Sequence, residues 1–528
     1  MTTRARLARA TATAATGTAL SRVTGVLRMV AVVGAIGVAE NRLADVYAVA
    51  NVTSNVLYEL LAGGILTSVF VPLFVDLRTR GSEKEAWEGA SAVAGCALAV
   101  LTAIAALGVM FAPWIYRAYT LGGGPENAAA QAAGTTLVRW IMPQVVFYGA
   151  AAIAGGLLAA YDRFGASAFA PTVNNLAVTA AFLAYPILFA NADVDTVSNN
   201  ALAWIGAGTT LGVALLAAVH LPALRAVSAG RLRLRVRFRH PAVRQLLRMG
   251  AWTFGYVVVN QIGLLLATNL AYAAGTGGAA AYQYAFVFFQ LPHGVLAVSI
   301  ATVLLPRLAA AASHRDQSAF LATFREGARM TFVLVLPAAI GLALIARPVV
   351  GLFTQFGVGT AASTELVADI LSAFAVGLVP FSLFQFVLRA LYARQDTRSP
   401  LLVNVIAVAV NMVANIAFYP SLDVRGLAFG HATAYTVALV LGLWALRRQT
   451  GPLQLGGLRR TVLGAGAAGV LLAVAVVVVD ARLDHLRTGP GLVLRVAVDV
   501  VVGLLLYVGV TWRLRLLRFA ASPPGEPG

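Results

Sequence analysis

Between Met249 and Pro306 the chain has no Asp, Glu, Lys or Arg. A soluble domain cannot hide so long an uncharged stretch, because its surface has to be supplied with polar groups. Comparable runs recur along the chain, which is 59% hydrophobic and only 11% charged. A membrane span needs roughly 20 apolar residues, and only helices and closed barrels cross lipid with every backbone group paired. Barrel strands would alternate apolar and polar over about 10 residues, whereas these runs are solidly apolar. The sequence therefore specifies an all-α, polytopic membrane protein.

Cutting at charges and at turn clusters, such as Gly275-Thr276-Gly277-Gly278, gives about 14 transmembrane helices. They are expected roughly at 10–37, 46–75, 90–114, 133–160, 167–190, 200–223, 247–272, 279–306, 329–352, 366–391, 400–419, 426–446, 460–479 and 493–512. The basic residues test this count, since cytoplasmic loops hold the Lys/Arg excess. With both termini cytoplasmic, 29 of the 39 fall inside and 8 outside, at Arg42, Arg117, Arg139, Arg347, Arg425, Arg482, Arg487 and Arg495. The other two, Arg22 and Arg28, lie within the first span. An odd number of spans would scramble this alternation. The expected location is the inner (plasma) membrane.

The net charge of +18 follows from the same bias and needs no nucleic acid. The alternating block from Arg231 to Arg239 reads as an amphipathic segment on an anionic inner leaflet. No nucleic-acid-binding signature accompanies it. Cys96 is the single cysteine, which excludes an internal disulfide and a cysteine-cluster metal site. The first span is too long, and carries too many arginines, for a cleavable signal peptide. No phosphate-binding GxxxxGK[ST] loop is present, so a built-in ATPase motor is excluded. No cofactor or metal is expected.

Two landmarks recur. Residues 64–74 resemble 298–308, with Pro72 matching Pro306, and residues 161–174 resemble 392–404, with Pro171 matching Pro400. The offset is six spans, an even number, so the halves share orientation as a parallel repeat. The expected division is a six-helix lobe over 1–224, a basic cytoplasmic linker over 225–246 and a second six-helix lobe over 247–447. Two extra helices over 448–518 and a disordered tail over 519–528 complete it. Paired lobes suit a transporter that rocks around a central site.

Ser21-Arg22-Val23-Thr24-Gly25-Val26-Leu27-Arg28 resembles the opening motif of the MurJ/MviN family of lipid II flippases. Phe70-Val71-Pro72, Ala168-Phe169-Ala170-Pro171-Thr172, Val303-Leu304-Leu305-Pro306 and Tyr392-Ala393-Arg394-Gln395-Asp396 fit the same pattern. The resemblance implies the multidrug/oligosaccharidyl-lipid/polysaccharide exporter fold, with two six-helix lobes and two further helices lining a groove for a polyprenyl tail. It also implies a flippase, not an enzyme, moving a polyprenyl-pyrophosphate-linked peptidoglycan precursor by alternating access. Its expected associates are membrane lipids and cell-wall synthesis or division proteins, and it is expected to act as a monomer. Where the family pattern carries an arginine pair and a glutamate, this chain has Tyr58, Glu59 and Gly63. In the eighth span it has Phe286, Val287 and Gln290 instead of further charges. Another lipid-linked glycan, or an ion-coupled small-molecule exporter of the same superfamily, stays open as the substrate class.

Ionisable residues inside spans are costly, and their default reading is functional. Arg22 and Arg28 could grip a pyrophosphate, because a guanidinium presents a fork to phosphate oxygens; a snorkelling or structural arginine is the alternative. Asn51, Asn55 and Glu59 recur every four residues as one polar stripe. Glu59 reads as a salt-bridge partner of Arg22 or Arg28, a proton or sodium site, or an interhelical contact. Gln290 shares a face of the eighth span with Gln283 and joins the substrate-facing set. Asp45 aligns with an acidic position of the family and is expected to serve as an outer gate or to cap the second helix. A lone Asp193-Val194-Asp195 keeps a glycosyltransferase as the weakest reading.

Overall fold

The computed structural model describes residues 3–58, 74, 82–121, 128–189, 193–454 and 456–516. Every regular element among them is helical. Eleven helices are long and apolar enough to cross a membrane, and the bent pair Ala361–Val376 and Leu378–Ala393 makes a twelfth. The second and seventh expected spans complete the set of about 14. Leu43–Tyr58 runs into residues outside those described, and Val257–Ala273 is the apolar end of Pro241–Ala273. Glu59, Gly63, Pro72 and the tail over 519–528 also lie outside the described residues.

Several helices start well before their apolar runs. Glu83–Met110 opens on a reciprocal cap, in which Ser82 accepts from the Glu85 N–H and Glu85 reaches back to the Ser82 N–H. Gln317–Leu344 begins about three turns ahead of its expected span, where Asp316 accepts from the Ala319 N–H. Charged first turns are good helix but poor membrane, so hydropathy alone cannot place these starts.

Two spans are broken at corresponding places. The fourth is split into Ala128–Ile141 and Gln144–Ala159 around Pro143, and the tenth bends by 51° at Gly377. That these interruptions are six spans apart matches the internal repeat. The eighth span passes through Pro292 and widens into a π turn at His293–Ala297, a local device for absorbing a proline.

The chain groups into two compact units, residues 1–280 with 353–363, and residues 281–352 with 364–528. In the first unit, Thr3–Ile36 packs on Gly165–Leu188, and Asn175 donates to the Ser21 carbonyl at 3.1 Å. Asn199–Ala218 joins them through Trp204, whose indole N–H donates to the Ala181 carbonyl. A core around Trp87, Ile153, Leu157 and Leu246 holds the opposite side. In the second unit, Arg398–Leu422 packs along Val424–Thr450, while Gly456–Arg482 and Gly489–Arg513 pack on each other. Tyr507 ties that last pair to Gln317–Leu344 by donating to the Val333 carbonyl at 2.8 Å.

Candidate functional site

The densest polar constellation in the first unit lies at the end that the arginine distribution assigns to the outside. Asp45 is fully buried. Its carboxylate accepts from the Gly277 N–H at 2.7 Å and the Ala280 N–H at 2.9 Å. It therefore caps Gly278–Pro292, the eighth span, and not its own helix, whose Leu43 N–H is met by Asn41. A carboxylate suits this position because the first N–H groups of a helix lack partners and carry a partial positive charge. Gly277 reaches it with φ of +85°, a left-handed conformation that glycine adopts without strain.

Arg42 completes this joint. Its Nη1 lies 3.7 Å from Asp45, its Nη2 donates to the Tyr272 carbonyl at 2.9 Å, and its guanidinium sits 4.0 Å above the Tyr272 ring. One turn earlier in the chain, Asn269 donates to the Ala118 carbonyl and accepts from the Leu121 N–H. The outer end of the seventh span is thus fastened to two loops of the first unit.

Glu40 makes a second joint with the segment 353–363. Its carboxylate accepts from the Thr360 N–H and hydroxyl and from the Ser363 hydroxyl, all within 2.8 Å, and from the Val38 N–H. The Val358 N–H donates to the Gly34 carbonyl, and a Cβ at Gly357 would lie 2.0 Å from that same oxygen. Burial works against ionisation of Glu40, but the bonds from Ser363, Thr360 and Val38 outweigh it and hold the carboxyl below its usual range. Asp45 and Glu40 thus act as two latches, each built from acceptors on one segment and donors on another far away in sequence.

The remaining sequence-predicted residues are placed differently. Arg22 is exposed and has no hydrogen bond or ion pair among the described residues, while Arg28 is half-buried. They are six positions apart, about 120° around the helix, so they do not form one stripe. The face carrying Ser21 and Thr24 is occupied by Asn175. Asn55 is exposed on Leu43–Tyr58, next to Ser54, which bonds Gln144. Gln290 is half-buried in the second unit, just before the π turn.

Sequence reasoning found Asp45 but missed Glu40, Arg42, Tyr272 and Ser363. Glu40 and Arg42 could have been noticed as an acid and a base beside Asp45 in a short outer loop. Their partners, 230 to 323 residues away, leave no local signal.

The chain matches the family model described as "Lipid II flippase MurJ" over residues 35–493. It is 31% identical to the lipid II flippase MurJ of Burkholderia cenocepacia, covering 83% of this chain and 84% of that one. It is 32% identical to the probable lipid II flippase MurJ of Rhizobium tropici, covering 78% and 76%. Among solved structures, a lipid II flippase MurJ in an inward closed conformation superposes with a TM-score of 0.79 at 20% identity, over 96% of this chain and 99% of that one. An inward-facing multidrug MATE transporter superposes with a TM-score of 0.69 at 15% identity, over 82% and 95%.

Proposed function

This chain belongs to the MurJ family of lipid II flippases, and on that premise we propose that it carries lipid II across the membrane by alternating access. The match of the family model from residue 35 to residue 493 is the observation that carries this reading. The chain moves its substrate and leaves the covalent structure unchanged, so it is not an enzyme. It sits in the inner membrane as a monomer with both termini cytoplasmic, where cell-wall synthesis proteins supply and consume what it moves.

Each part of the site then has a task. Lipid II joins a polyprenyl tail to its head group through a pyrophosphate, and Arg22 is the exposed guanidinium suited to grip it in bidentate fashion. Arg28, Asn55, Glu59 and Gln290 supply further polar contacts to the head group. Asp45 and Glu40 form the outer gate. While their hydrogen bonds are made, the outer ends of the first unit are fastened and the head group can be loaded only from inside. Release requires both joints to part, and water can then replace the donors that each carboxylate gives up. Bonds to charged groups contribute about 1.5–3 kcal/mol each, a range that a bound substrate can offset.

Expression in a cell depleted of its own lipid II flippase tests the reading. Growth should be restored and lipid II should reach the outer face. A protein that enters the membrane yet leaves lipid II inside would overturn it.

A further inference from the structure

The basic linker takes an unexpected form. From Arg231 to Arg237 it is extended, with no helix, and it lies along the first half of Glu83–Met110. Arg231 pairs with Glu83 at 2.9 Å, the Arg233 N–H donates to the Ser91 hydroxyl, the Arg235 N–H to the Ser91 carbonyl, and the Arg237 N–H to Cys96 Sγ. Helix residues 83–96 and strand residues 231–237 each cover roughly 20 Å, so the two run side by side without mismatch. A Cβ on Gly95 would lie 2.4 Å from the Arg235 carbonyl oxygen, so glycine is what admits the strand.

The alternating sequence now has a physical consequence. Arg231, Arg233, Arg235 and Arg237, with Lys84, line a cleft of about 600 Å³ in which Glu88 is the one acid among the described lining residues, with Glu83 paired to Arg231 at its edge. Trp87 is on the same wall, and its buried Nε1–H has no acceptor among the described residues. Of the residues between the arginines, Leu232 packs against the core around Trp87, while Leu234 is 61% exposed, Val236 58% and Phe238 53%. The cleft begins at the charged first turn of the helix. It ends within about two turns of the start of the apolar run, the depth at which lipid headgroups meet acyl chains.

We propose that this cleft binds the phosphate of an anionic phospholipid, with Leu234, Val236 and Phe238 lying against its acyl chains. A soluble phosphate would use the arginines but leave those three side chains unexplained. The inference rests on the sidedness proposed above and is independent of the transported substrate.

The test uses the full-length protein in phosphatidylcholine nanodiscs containing a minor fraction of phosphatidylglycerol, and measures by mass spectrometry the phosphatidylglycerol that co-purifies. The triple variant R233Q/R235Q/R237Q should retain it on the order of a hundredfold more weakly, since each arginine at an anionic surface contributes about a factor of five. Gly95→Val, which keeps all the arginines but displaces the strand, should also lose retention. Arg22→Ala should retain the lipid normally, which separates this site from transport. Wild-type retention in the triple variant or in Gly95→Val would overturn the proposal. So would displacement of phosphatidylglycerol from the wild type by inorganic phosphate.

Discussion

The latches at Asp45 and Glu40 and the middle of the first helix hold charged residues under opposite conditions. At the latches, Asp45 is buried and Glu40 is half-buried, and both accept from donors on segments far away in sequence. Roughly 20 Å of helix separates Arg22 from the end of Thr3–Ile36, just before Glu40, and Arg22 is exposed and meets no protein acceptor among the described residues. A charge that the protein has satisfied works as a joint between segments. A charge left open inside an apolar span is available to something that arrives from outside the chain.

The largest effect that would sharpen this contrast is expected at Arg22. Arg22→Ala should abolish lipid II transport without lowering the amount of protein in the membrane, and Arg22→Lys should restore only part of it, because the planar fork is lost. Normal transport by Arg22→Ala would break the comparison. Next comes Asp45→Ala, which leaves Arg42 and two helix N–H groups without their carboxylate. Removing one partner of a buried pair costs about 3–5 kcal/mol. Thermal unfolding of the purified variant should move down accordingly, and a cysteine probe at the buried Ala279, in the turn that Asp45 caps, should become reactive.

Glu40→Gln should have a smaller effect, because an amide oxygen still accepts from Thr360 and Ser363. Acid should act on Glu40 in a defined direction. Its folded carboxyl is held below the ordinary value of 4.5, so the stabilisation is fully present above that value and is lost only as pH falls through the lowered one. The stability difference between the wild type and Glu40→Gln should stay constant from neutral pH to about 5 and shrink only in stronger acid. A loss of that difference already near neutral pH would mean that Glu40 is not held as described. The smallest effect is expected for Arg487→Gln, at an exposed ion pair with Asp484. It should leave stability unchanged within measurement error, because water screens an exposed pair, and set the floor against which the others are measured.

The spans were legible because apolar runs and arginines report directly on lipid and sidedness, and the repeat at Pro171 and Pro400 foretold six-span spacing. The breaks at Pro143 and Gly377 and the π turn after Pro292 were not, since a kink depends on what packs against the helix. That Asp45 is a structural or functional acid was legible from its place beside the second helix, where it was expected to gate or to cap. The helix it caps was not, because the Gly277 N–H is 232 residues away. The form of the basic linker was also hidden. Alternation announced an amphipathic segment at the inner leaflet, but Gly95, a residue of another helix, decides where it can lie.

The position of Thr360 and Ser363 in the chain has a consequence for biogenesis. The first unit includes residues 353–363, and Glu40 meets Thr360 across 320 residues. At about 5–20 residues per second, a ribosome needs roughly 15 to 65 seconds to make the chain between them. For all that time, Glu40 has been made while Thr360 and Ser363, which donate to its carboxylate, have not. The joint between Glu40 and the segment 353–363 can therefore close only after the ninth span has been made.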